Sequence, residues 1–153
     1  MLDHTWLLAH IPHQGDMCLL DAVLDWDAQR IRCRAVSHRD VANPLCHAGR
    51  LGAACGIEYA AQAMAAHGAA IAAQTPDARP RAGYLASVRG VELHVSRLDD
   101  LADDLSVEAE RLSGDDNNIL YAFSVSAGPR VLLSGRAAVI LDASRLSGNG
   151  VQP

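Results

Sequence analysis

Lysine is missing from these 153 residues, and the 13 basic residues, all arginine, are outnumbered by 18 acids, leaving a formal net charge of −5. That sign excludes a chain built to neutralise a nucleic-acid backbone. Aromatic residues are scarce at 4%, with a single Phe, yet half of the residues are hydrophobic and a fifth charged, so disorder is excluded and alanine must supply much of the core. Cys18, Cys33, Cys46 and Cys55 lie far apart without a CxxC pair, which excludes a zinc ribbon or thioredoxin motif and leaves buried free thiols. No apolar run is long and unbroken: residues 51–73 contain Glu58, Gln62 and His67, and alanine inserts weakly into lipid, so this stretch is expected inside protein. The first residues, MLDHTWLLAHIPH, lack a basic region and a long apolar region, so no signal peptide is read and a reducing cytoplasm is expected. A Gly-rich phosphate loop and a Gly-x-Ser-x-Gly elbow are also missing, so no cofactor is expected. His10 and His13 have ligand spacing, but Pro12 interrupts the helix that would align them, and no metal is expected.

The length suits one domain over residues 1–153, with a small, polar tail from 144 to 153 expected to fray. Residues 4–10 space Trp6, Leu7 and His10 on one helical face. Two strands are expected at 17–24 and 31–35, with a turn near Asp27-Ala28-Gln29. Residues 37–50 form a loop long enough to suspect function. Good helix formers then run from Leu51 to about His67, with Gly68 as C-terminal punctuation and Thr75-Pro76 as a final stop. Alternation at Val91/Leu93/Val95, Leu105/Val107/Ala109 and Tyr121/Phe123/Val125 predicts three half-buried strands, and residues 131–141 a fourth, bulged at Gly135. Two strands, one long apolar helix and four strands is an α+β order, and a helix with so little polar surface must be wrapped by the sheet. A curved antiparallel sheet around one central helix is the hot-dog fold, and its open edge predicts a homodimer.

Two motifs carry a family resemblance. Residues 11–21, IPHQGDMCLLD, resemble the N-terminal "PH…LLD" signature of FabZ-like 3-hydroxyacyl-acyl carrier protein dehydratases. Residues 56–65, GIEYAAQAMA, resemble that family's "E-x-x-A-Q" helix, and the wording around it, with Gly49-Arg50-Leu51 upstream, is most similar to the dehydratases of aryl polyene clusters. The resemblance implies a catalytic Glu58 paired with a histidine. FabZ-type enzymes carry that histidine in a Gly-His-Phe-Pro-Gly loop, and the corresponding position here is Pro44. His13, inside the matching N-terminal motif, is favoured in its place, with His47 in the loop as the alternative.

Dehydration removes a proton from C2 and gives one to the departing C3 hydroxyl, so it needs a base and an acid close together. A neutral imidazole suits the first role. A carboxyl on an apolar helix, its charged form disfavoured, suits the second, which is the expectation for Glu58. It is the sole acid between Asp40 and Asp77, though pairing with Arg50 is the competing structural reading. The N–H groups of Gly52, Ala53 and Ala54 at the expected helix start are candidate donors to the thioester oxygen. Gln62 is a candidate to orient Glu58 or to make a surface contact; Tyr59 and Met64 read as packing residues. The implied function is dehydration of 3-hydroxyacyl thioesters on acyl carrier protein, with a hot-dog thioesterase and a non-catalytic acyl-binding subunit of a heterodimer as alternatives. Arg50, Arg79, Arg81 and Arg89 are the basic residues available to an acidic carrier protein.

Overall fold

The computed structural model describes residues 1–75, 83–115 and 117–141. Helix α1 (His4–His10) is capped by the Asp3 carboxylate, which accepts the Trp6 N–H at 2.9 Å, and it stops before Pro12 as the sequence predicts. Strand β1 (Ala22–Trp26) starts later than expected. Residues 15–17 form a 3-10 turn because Gly15 takes a positive φ of 57°, and the chain after it is gripped by side chains instead of a neighbouring strand. The turn to β2 (Arg30–Ala35) is closed by Asp27, whose Oδ1 accepts the N–H groups of Gln29 and Arg30.

Helix α2 (Gly56–Ala73) begins five residues after the expected start and runs six beyond the expected end. The late start has a hydrogen-bond cause. Leu51 donates its N–H to the Asp99 carboxylate at 2.9 Å and accepts the Leu98 N–H at 2.8 Å, while Ala53 donates to Ser96 O, so residues 51–53 form a bridge to 96–98 before any helical ladder can open. A 3-10 turn (Ala53–Cys55) then feeds α2. Gly68 sits inside the helix, which ends at Ala73 with Gln74 as its C-cap.

Four further strands follow: β3 (Gly83–Leu93), β4 (Leu105–Gly114), β5 (Asn118–Ala127) and β6 (Arg130–Leu141). All pair antiparallel in one six-stranded sheet of order β1-β2-β4-β5-β6-β3, leaving β1 and β3 at its edges. The inward residues of β4 and β5, among them Val107, Tyr121 and Val125, meet Tyr59, Ala60, Ala63 and Ala66 of α2, and small side chains let the helix lie close to the sheet. The bulge expected at Gly135 lies instead on the neighbouring strand, where Gly90 (φ 60°) and Val91 together oppose Gly135. Gly135 has a different necessity: a Cβ there would stand 2.9 Å from Phe123 Cζ. The tail at 144–153 lies outside the described residues. None of the described helices is long and apolar enough to cross a membrane.

Candidate active site

Glu58 lies in the first turn of α2, and Gln62 is one turn further along the same face. Gln62 is fully buried and uses its whole amide. Oε1 accepts the Leu19 N–H at 2.8 Å, and Nε2 donates to Met17 O at 2.7 Å and to Glu58 Oε1 at 3.3 Å. The segment that follows Pro12 is therefore laced across the start of the helix. Ile11 anchors its near end in the core, and Gln14 holds it to Leu8 O at 3.1 Å.

That lacing delivers His13 to Glu58. His13 Nε2 lies 3.0 Å from Glu58 Oε1, both side chains about a third exposed or less, at 24% and 34%. His13 Nδ1 is buried without a hydrogen-bond partner among the described residues, so the contact with Glu58 is what orients the ring. The Glu58 carboxyl is held below its ordinary value, first by the His13 hydrogen bond and then by Gln62, which together outweigh desolvation. This corrects the expectation of a carboxyl kept protonated by an apolar helix: a partner donated from another segment reverses the sign. The competing pairing of Glu58 with Arg50 is not formed, and Arg50 is exposed.

His47 does not reach the pair. It sits exposed in a tight turn, exchanging backbone hydrogen bonds with Arg50 around Ala48 (φ 52°) and Gly49 (φ 74°). The donors proposed at Gly52, Ala53 and Ala54 are also corrected in part. These residues precede α2 instead of opening it, the Ala53 N–H is taken by Ser96 O at 3.1 Å, and only Gly52 and Ala54 are exposed. Arg79 and Arg81 lie outside the described residues, and Arg89 lies on β3.

A second buried network was not legible in the sequence. Tyr59, read as packing, places its Oη 2.7 Å from Ser37 Oγ and 3.1 Å from Asn43 Nδ2. Ser37 Oγ donates to Leu19 O at 2.8 Å, so the Tyr59 hydroxyl donates to Ser37 and accepts from Asn43. Loop 37–43, the 17–19 segment and α2 are thus tied at one point beside Glu58. Polar residues in a long loop were the available signal, but nothing in their spacing names Tyr59 as the partner. His10 is occupied elsewhere, with Nδ1 2.8 Å from Trp6 O and its ring stacked on Trp6. Among the described residues no three His, Cys, Asp or Glu side chains gather as a metal site.

The family model described as ApeP dehydratase, of the ApeP-like family, matches residues 7–146. The chain belongs to the ApeP-like dehydratase family. Its structure is similar to a chain of the dehydratase heterocomplex ApeI:P from Xenorhabdus doucetiae, with a TM-score of 0.80 and 22% identity over 92% of this chain and 95% of that one. It is also similar to a thioesterase from Haemophilus influenzae (TM-score 0.56, 7% identity, 88% of this chain and 80% of that one). A variant of a Pseudomonas aeruginosa thioesterase matches with a TM-score of 0.59 and 11% identity over 92% of this chain and 94% of that one. At these identities the likenesses speak for the fold, which is the hot-dog fold expected from the element order. No curated protein matches the sequence.

Proposed function

We propose that this ApeP-like protein dehydrates 3-hydroxyacyl thioesters carried on acyl carrier protein, in an aryl polyene or related fatty-acyl pathway, with His13 and Glu58 as its acid-base pair. The observation that carries the reading is the 3.0 Å contact between His13 Nε2 and Glu58 Oε1. In the free chain the depressed Glu58 is the anion and the shared proton rests on Nε2. A substrate entering between the two side chains removes the interaction that lowers Glu58 most, and burial, which raises it, then dominates. With the ring's own proton on Nδ1, the shared proton passes from Nε2 to the carboxyl, the neutral ring's Nε2 accepts the C2 proton, and Glu58 gives its proton to the C3 hydroxyl as that leaves as water. The thioester bond is untouched and the pair returns to its starting state. Gly52 and Ala54 are the exposed positions from which a backbone N–H can meet the thioester oxygen.

The sheet edge supports pairing between protomers. Strand β3 ends the sheet and exposes Tyr84, Leu85 and Leu93, so a second copy adding its own β3 would continue the ladder and cover them. ApeI:P is a heterocomplex, which favours as a second reading that this chain joins a related but different subunit. Thioester hydrolysis is the competing reaction, favoured only by thioesterases that share the fold. Purified protein given a 3-hydroxyacyl carrier protein separates these by mass spectrometry. Loss of one water with the thioester intact supports the proposal. Release of the free carrier thiol supports hydrolysis, and absence of turnover unless a related subunit is added supports the heterodimer.

A further inference from the structure

On the sheet face turned away from α2, Arg32 pairs with Asp25 and Arg34 with Asp21, each at 2.7 Å or less. Arg89 and Arg136 break that pattern. They stand directly opposite each other on β3 and β6, so their side chains share the outer face, and the next residue across the sheet is the uncharged Ala122 of β5. Both are exposed, and neither makes an ion pair or side-chain hydrogen bond among the described residues. The nearest acid on β3, Glu92, faces Ser134 on the far side of the Gly90–Val91 bulge. Two like charges directly opposed in a ladder repel, and the acid next along that row, Glu110 of β4 beyond Ala122, forms no ion pair with Arg136.

The pair does not stand on a flat surface. Arg89 and Arg136 border a cavity of about 660 Å³, a volume suited to a small molecule. Its room comes from the short side chains around the arginines on that face, Ser87, Ala122, Ser134 and Ala138. The hydroxyls of Ser87 and Ser134 also line it, and Leu120 and Ala138 supply an apolar wall. Paired guanidinium groups with adjacent hydroxyls suit the oxygens of a phosphate, and the wall suits a short uncharged body attached to it.

We propose that Arg89 and Arg136 form a binding site for a soluble phosphate ester on the outer face of the sheet, separate from Glu58 and His13. The test titrates the purified protein with inorganic pyrophosphate and with coenzyme A, followed by calorimetry and phosphorus NMR. Saturable binding is expected with both probes, weakening as salt rises, and at least about tenfold weaker in each of Arg89→Gln and Arg136→Gln. Arg32→Gln, whose partner is Asp25, and Glu58→Gln are expected to bind like the starting protein. Unchanged thermal unfolding of the Arg89 and Arg136 variants shows that they fold. The proposal is overturned if no saturable binding occurs at millimolar probe, or if an Arg89→Gln/Arg136→Gln double variant binds as well as the unaltered chain. Loss of binding in Glu58→Gln also overturns it, because the anion would then sit at the other site.

Discussion

Gln62 stands one helical turn from Glu58 and spends its remaining hydrogen-bonding capacity on the backbone of Met17 and Leu19, not on solvent. One buried amide therefore both contacts the carboxylate and holds down the segment that brings His13 to it. Leu19 is held from both sides, since its carbonyl accepts from Ser37, which in turn binds Tyr59. The relation between two motifs far apart in the chain is thus built from backbone groups, which tolerate sequence change around them.

Gln62→Leu keeps the volume but strands the Leu19 N–H and the Met17 carbonyl. The expected loss is about 2–4 kcal/mol of unfolding free energy by urea denaturation, from two buried groups left unsatisfied. Catalytic rate should fall as well, because His13 loses its support. A stability unchanged within experimental error would mean that water replaces the amide and that Gln62 does not hold the segment.

Acid should weaken the fold through Glu58. Its folded-state value lies below its ordinary 4.5, so the ionised form is stabilised by folding. That contribution is fully present above about pH 4.5 and is lost as pH falls through the lower folded value. Glu58→Gln should lose less stability over that interval than the unaltered chain. Parallel pH–stability curves for the two proteins would contradict the His13 pairing.

His67 is likewise held deprotonated by the fold, but as the neutral form and by burial. It is fully buried in α2, its Nε2 donates to Asp27 O at 2.8 Å, and its Nδ1 accepts from the Tyr121 hydroxyl at 2.8 Å, which fixes a neutral ring. Burial lowers its value from 6.5, so unfolding takes up a proton as pH falls below 6.5, and stability declines from there toward the folded value. Thermal unfolding between neutral and mildly acid pH should show this decline, and His67→Gln should flatten it. A decline of equal size in His67→Gln would assign it to another group.

These residues divide by how much of their role was readable beforehand. Alternation named the inward faces of β4 and β5 because it depends on each strand alone, and the order of elements was enough for the hot-dog fold. The start of α2 was misread because helix formers occupy 51–55, whereas their backbone is claimed by residues 96–99, a tertiary competition that local propensity does not record. His13 and Glu58 were both singled out through their motifs. The ionisation of Glu58 is not readable in the same way, since its apolar surroundings are a property of its helix and its hydrogen-bond partner arrives from elsewhere.

Gly135→Ala tests the packing of the sheet where β6 passes Phe123. Alanine normally improves on glycine inside a strand, but here the added methyl would meet Phe123 at 2.9 Å and Val91 at 3.1 Å. The substitution should destabilise by about 1–3 kcal/mol in urea unfolding. A gain in stability would mean that Phe123 turns aside freely and that the site needs no glycine.

The most direct measurement compares water loss from a 3-hydroxyacyl carrier protein by the unaltered chain with that by His13→Ala, Glu58→Gln and His47→Ala, each checked for folding and each assayed alone and with a related hot-dog subunit. The account predicts that His13→Ala and Glu58→Gln each fall by about a hundred- to ten-thousand-fold, while His47→Ala stays near the starting rate. Full activity in either of the first two, or loss confined to His47→Ala, would contradict the assignment of the His13–Glu58 pair.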